Sequence, residues 1–220
     1  MPPEQRIAIE TARGPVTGAW EEPKDAAETL VVAPGAGSGF DAPILVGFTR
    51  ALVTQGIAAL RFNFPYREQG RKSPDPEPTL IDAWNAAFAW AEAQRAGPAF
   101  AGGKSLGGRM ASMAAGEGMP VAGLVFLGYP LHPPGKPERV RDEHLYGIEA
   151  PMLFLQGTAD PFAKWDLVEK VVKKLGKRAE LHPIEGGDHS FRVKGAKRDD
   201  REIGESLATP AAEFMRAHSA

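Results

Sequence analysis

Apolar runs of strand length alternate with segments of helical period along almost the whole chain, and this alternation limits the fold more than any other feature. Eight runs read as strands: Arg6–Thr11, Val16–Trp20, Thr29–Ala33, Ile57–Phe62, Phe100–Gly102, Val121–Leu127, Met152–Gln156 and Arg178–Pro183. Between them, Ile44, Phe48, Ala51 and Leu52 recur at i, i+4, i+7 and i+8, and Ile81, Trp84, Phe88 and Ala91 make a second apolar helix face. Leu106, Met110, Met113 and Ala114 form a third, and Val168, Val171, Val172 and Leu175 a fourth, closed by Gly176 as a left-handed cap. Strands joined through helices lie parallel, so the pattern predicts an α/β fold: a mostly parallel eight-stranded sheet with helices on both faces. The first two strands are the exception. Only Arg13-Gly14-Pro15 separates them, too short for a crossover, so they form an antiparallel hairpin at one edge.

No internal repeat or linker divides the 220 residues, and residues 1–220 read as a single domain. Two loops stand out. Arg67 to Pro78 carries Gly70, Pro74, Pro76 and Pro78 and reads as extended surface chain; Gly128 to Ala150 carries Pro130, Pro133, Pro134 and Pro137 and a charged stretch from Lys136 to Glu143. The last helix, Asp200 to His218, is expected to break or kink near Thr209-Pro210.

Charge and composition exclude several functions. With 26 basic and 28 acidic side chains, net charge −2, there is no global attraction to nucleic acid or acidic lipid, and neither partner is expected. The absence of cysteine excludes disulfides, thiolate metal sites and a cysteine nucleophile. The longest apolar stretches, such as Val121 to Leu127, fall far below the roughly 20 residues that span a bilayer. With a start that lacks an apolar leader, this predicts a cytoplasmic protein.

The sharpest motif is Gly103-Lys104-Ser105-Leu106-Gly107, placed where a strand feeds a helix. A nucleophile on such a sharp turn needs neighbours without Cβ atoms, and glycines stand two before and two after Ser105. The plainer alternative is a glycine-rich turn whose serine caps the helix. A serine hydroxyl needs a base, and the base needs an orienting acid. Downstream, Gly157-Thr158-Ala159-Asp160 places an acid past one strand, and Gly186-Gly187-Asp188-His189 places a histidine past the next. Ser105, Asp160 and His189 thus stand at carboxyl ends of strands, in the chain order of an α/β-hydrolase.

Asp188 is the rival acid, but its position beside His189 suits a hydrogen bond within its own loop. His132, His144, His182 and His218 read as packed or solvated histidines, and none has the spacing of a zinc site. The turn Pro34-Gly35-Ala36-Gly37 offers a backbone N–H at Ala36, or Gly37, to converge with that of Leu106 on a developing oxyanion. A dinucleotide fingerprint fails because Phe40 occupies the third glycine position, and a phosphate loop fails because Pro98 stands where its first glycine belongs.

Pro34-Gly35-Ala36-Gly37, Gly103 to Arg109, Tyr129-Pro130-Leu131-His132, Arg141-Asp142-Glu143-His144-Leu145, Gly157 to Asp160 and Asp188-His189-Ser190-Phe191 together resemble the bacterial α/β-hydrolases related to dienelactone hydrolases. More narrowly, they resemble the family shared with testis-expressed hydrolase-like proteins and a histone-acetyltransferase-complex subunit. The resemblance runs from about Thr29 to the C-terminus. It implies the α/β-hydrolase fold and carries nucleophile, acid and base onto Ser105, Asp160 and His189. Relatives commonly have His-Gly at the oxyanion turn, where this chain has Pro34-Gly35.

The expectation is therefore a serine hydrolase acting on small-molecule esters, with no cofactor and no metal. The alternative is a hydrolase-fold scaffold without activity. Lys104, Arg67, Arg71 and Lys72 would favour a carboxylate-bearing substrate unless they are merely solvated or ion-paired. Gly128 to Ala150 offers no amphipathic helix, so no substantial lid is expected and short acyl groups should be preferred.

Overall fold

In the computed structural model, which describes residues 2–219, all eight expected strands form: β1 (Gln5–Ile9), β2 (Val16–Glu21), β3 (Thr29–Ala33), β4 (Ala58–Phe62), β5 (Ala99–Lys104), β6 (Gly123–Leu127), β7 (Met152–Gly157) and β8 (Ala179–Ile184). They make one sheet in the order β1-β2-β4-β3-β5-β6-β7-β8. Strand β2 runs antiparallel to both β1 and β4, and every other pairing is parallel. The short first turn therefore makes the edge hairpin, and the helical crossovers account for the parallel remainder. This is the mostly parallel eight-stranded α/β-hydrolase fold.

Strands β3, β4 and β6 are buried at every residue because helices cover both faces, which is why they read as unbroken apolar runs. One face packs against α3 (Glu77–Gln94), α4 (Leu106–Gly116) and α5 (Trp165–Leu175) through Trp84, Phe88, Met110 and Val168. The other packs against α1 (Pro43–Thr54), α6 (Asp200–Ser206) and α7 (Ala208–Ala217) through Leu45, Phe48, Ile203 and Phe214. Each such side chain contributes about 1.5–3 kcal/mol by leaving water. Arg61, in β4, is the main polar intrusion. Its guanidinium bonds Thr49 Oγ1 at 2.7 Å and pairs with Glu4 and with Glu21 at 3.5 Å, so the buried charge is compensated.

The C-terminal helix breaks near Thr209-Pro210 as expected: the interruption falls at Leu207, and the two residues lie in the first turn of α7. Pro210 has no N–H, and its ring would collide with the carbonyl of Ser206 in a continuous helix, so the chain turns before the proline. One expectation needs correction: the extended segment after β4 is shorter than expected. A helical turn, α2 (Pro65–Glu68), occupies its start, and Pro78 sits in the first turn of α3, where no intrahelical donor is needed.

The segment from Gly128 to Ala150 carries one 3-10 turn, Glu143–Gly147, and no helix that could cover a groove. Its apolar side chains Leu131, Leu145 and Ile148 are buried in the core. Among the described residues, no helix is long and apolar enough to cross a membrane.

Candidate active site

Strand β5 ends at Lys104, α4 begins at Leu106, and the whole change of direction falls on Ser105. Its backbone is left-handed, with φ 50° and ψ −113°, a conformation that costs about 1–3 kcal/mol at a non-glycine residue. The flanking glycines are there because of β3: a Cβ at Gly103 would lie 2.2 Å from the Ala33 carbonyl oxygen, and one at Gly107 only 2.1 Å from it. The motif is thus a packing requirement for the end of β3 to pass beneath the turn. Trp84 Nε1–H secures the first turn of α4 by donating to the Gly107 carbonyl at 3.1 Å.

The structure brings Ser105, His189 and Asp160 together. His189, in the loop after β8, has Nε2 2.8 Å from Ser105 Oγ and Nδ1 2.7 Å from Asp160 Oδ2. With Nδ1–H donating to the carboxylate, the Nε2 lone pair faces the hydroxyl. Asp160 lies three residues past β7 and is 4% exposed. Its Oδ2 also accepts from Gln156 Nε2–H at 2.7 Å, and its Oδ1 accepts the Phe162 N–H at 2.7 Å. These donors fix the orientation of the carboxylate.

The rival groups are engaged elsewhere. Asp188 Oδ1 accepts the backbone N–H groups of Ser190 and Arg192, at 2.8 and 3.0 Å, within its own loop. His144 Nε2 lies 2.9 Å from Ser112 Oγ, and His218 Nδ1 is 2.9 Å from the Phe214 carbonyl. His182 is exposed on β8, and His132 is buried beside the turn that follows Asp160. Among the described residues, no group of three or more His, Cys, Asp or Glu side chains is arranged to hold a metal ion.

A cleft of about 390 Å³ opens on Ser105, lined among others by Ala36, Ser38, Lys104, Phe162 and His189. The turn after β3 approaches closely: a Cβ at Gly35 would stand 3.7 Å from Ser105 Cβ. This places Ala36 beside Ser105. Leu106 opens α4, where an N–H has no intrahelical acceptor. Burial pulls the Lys104 ammonium down to about 8, a shift opposed by the nearby Asp160 and Asp188. Two of the other basic residues are internally committed. Arg71 pairs with Asp75, and Arg67 donates to the Arg71 carbonyl at 3.1 Å.

Two residues of the site were not singled out from the sequence. Gln156, fully buried, stands next to the end of an otherwise apolar strand, and that lone polar side chain is the signal. Phe162 stacks on the His189 imidazole, a relation between separate loops with no local sequence signature.

The chain is similar over its whole length to a dienelactone hydrolase from Anabaena variabilis, with 21% identity, 100% of this chain and 99% of that chain covered, and a TM-score of 0.75. An α/β serine hydrolase without lid from Xanthomonas campestris matches with 22% identity, 96% and 94% coverage, and a TM-score of 0.73. An esterase from Pyrococcus furiosus matches at 14% identity, 99% and 91% coverage, and a TM-score of 0.77. These likenesses are of fold, and the sequence-family match is independent of them. Because the model of the alpha/beta hydrolase domain matches residues 26–218, nearly the whole chain, the protein belongs to the α/β-hydrolase family.

Proposed function

We propose that the protein is a serine hydrolase of small esters, working as a single domain through an acyl-Ser105 intermediate. The observation that carries this reading is the unbroken chain from Ser105 Oγ through both His189 nitrogens to Asp160, with the serine on a strained turn at the floor of an open cleft. Ser105 Oγ attacks the ester carbonyl carbon while His189 Nε2 takes the hydroxyl proton, and Asp160 stabilises the resulting imidazolium. The carbonyl oxygen becomes an oxyanion facing the N–H groups of Ala36 and Leu106, each contributing about 3 kcal/mol to transition-state stabilisation. Collapse breaks the carbon–alkoxide bond, and Nε2–H protonates the departing alcohol. Water, deprotonated by Nε2, then attacks the acyl carbon, and the acid leaves as Ser105 regains its proton. No step requires a cofactor or metal. Pro34 replaces the histidine that relatives commonly carry at the oxyanion turn, but the Ala36 N–H is a main-chain donor and survives that change. The cysteine-free composition suits a cytoplasmic setting.

Labelling of the native protein with a fluorophosphonate probe tests the reading. Stoichiometric modification confined to Ser105 is expected. Folded protein that stays unlabelled, beside a hydrolase control that reacts, would point to a hydrolase-fold scaffold.

A further inference from the structure

The hydrolase reading leaves the motif Tyr129-Pro130-Leu131-His132 without a role. His132 follows β6 and is 3% exposed, and its ring is hydrogen-bonded on both sides. Nε2 accepts the Lys164 N–H at 2.9 Å, and Nδ1 lies 2.8 Å from the Pro133 carbonyl oxygen. A backbone N–H only donates and a carbonyl only accepts, so these partners fix the tautomer: Nδ1 carries the proton and Nε2 is bare. The His132 main-chain N–H adds a third bond, to the Phe162 carbonyl at 2.9 Å.

These bonds land on both sides of the buried Ala163, in the turn that carries the catalytic acid. Phe162 is the pivot of that turn. Its N–H holds Asp160 Oδ1 at 2.7 Å, its carbonyl is held by His132, and its ring stacks on the His189 imidazole with centroids 4.3 Å apart. One residue outside the Ser–His–Asp chain thus supports the segment that touches both acid and base, its main-chain N–H holding Phe162 and its ring holding Lys164.

We propose that His132 is a positioning residue for catalysis, clamping the turn from Asp160 to Lys164 so that the carboxylate and the Phe162 ring hold the His189 imidazole aimed at Ser105. The inference rests on the hydrolase reading. Its distinctive consequence is that loss of the clamp degrades chemistry more than binding, because misalignment of about 1 Å can cost about a hundredfold in rate.

The test compares wild type, His132→Leu and His132→Gln on one neutral acetate ester, with fluorophosphonate labelling and thermal unfolding measured alongside. His132→Leu removes both ring bonds while keeping an apolar filling. We expect kcat to fall about ten- to a hundredfold, with KM changed less than about twofold, and the acid limb of the kcat/KM profile to move to lower pH as Asp160 supports the imidazolium less well. His132→Gln, whose amide can accept from Lys164 N–H, should restore most of kcat and return the limb. Equal kcat and an unmoved limb in folded His132→Leu would overturn the proposal, as would a glutamine variant no better than leucine. If the leucine variant does not fold, the wild-type ring decides: 15N NMR at the pH of maximal turnover should show Nε2 of His132 bare, and a protonated Nε2 would overturn the clamp. Wild-type protein that resists the probe would refute the hydrolase reading itself, whereas a labelled wild type beside an unaffected His132→Leu would refute only the clamp.

Discussion

The ring of Phe162 lies over the imidazole of His189, with centroids 4.3 Å apart and planes 29° from parallel. Phe162 also lines the cleft, so the stack forms one wall of the site and one support of the His189 ring. An aromatic face favours a cation above it by roughly 0.5–2 kcal/mol, so this contact gains strength when the imidazolium forms. Phe162→Leu should lower kcat about three- to tenfold, within that energy range, with little change in thermal stability because the side chain is partly exposed. Steady-state kinetics with a thermal melt checks this. An unchanged kcat would remove the stack from the mechanism.

The two aspartates near His189 should behave very differently. Asp160 bonds the imidazole, whereas Asp188 bonds its own loop. Asp160→Asn should lower turnover by about four orders of magnitude, the loss seen when the orienting acid of a serine protease is replaced. Asp188→Asn should lose less than about tenfold, since it removes only a turn-stabilising contact. In the wild type, turnover should fall on acidification because an imidazolium cannot take the serine proton. Equal losses at both positions would leave Asp160 without its assigned role.

Gln156 separates stability from catalysis. Its Nε2–H donates to Asp160, yet its buried Oε1 meets no donor among the described residues. An unsatisfied buried acceptor costs about 1–3 kcal/mol. Gln156→Leu should therefore melt no more than a few degrees below wild type while kcat falls about tenfold, as Asp160 loses one of the donors that orient it. A large loss of stability with normal kcat would reverse this assignment.

Lys104 gives a pH signature in stability. Its ammonium titrates near 8 in the folded protein against 10.5 when free, chiefly through burial. The unfolded chain therefore binds more protons between those values, and stability should rise as pH increases from about 8 towards 10.5. Below pH 8 the full burial cost is present, roughly 2–4 kcal/mol for a shift of this size. Lys104→Met should stabilise the protein at pH 7 and abolish the alkaline rise. Denaturant unfolding of both proteins across this range is decisive, and parallel curves would mean that the ammonium is solvated.

Much of this was legible because burial writes itself into sequence. Parallel strands covered on both faces must be apolar throughout, so β3, β4 and β6 stand out as runs such as Leu30-Val31-Val32 and Val125-Phe126-Leu127. Ser105 was legible because the close passage of Ala33 demands glycine at 103 and 107. Relations between loops leave no such local trace. The stack of Phe162 on His189 and the bonds of His132 to Phe162 and Lys164 depend on how separate segments dock. The break at Leu207 is legible for a local reason: Pro210 acts on the turn before it.

Acyl length should matter in one direction. The cleft is about 390 Å³, and the segment between β6 and β7 buries Leu131, Leu145 and Ile148 in the core and carries no helix that could roof a long chain. Each buried CH₂ would add about 0.8 kcal/mol to binding where a groove exists. Specificity constants for p-nitrophenyl esters should peak near acetyl to butyryl, with no jump at an oil–water interface. A steady rise to long-chain esters would contradict an open, lidless site.

The central claim is that Ser105 carries the acyl group between two half-reactions. Rapid-quench mass spectrometry of wild-type protein mixed with p-nitrophenyl acetate measures it directly. We predict one acetyl group per chain, on the peptide containing Ser105, appearing with the first turnover, lost on further incubation and absent from folded Ser105→Ala. Undiminished turnover by Ser105→Ala, or an acetyl group that maps to Ser38, would contradict the account.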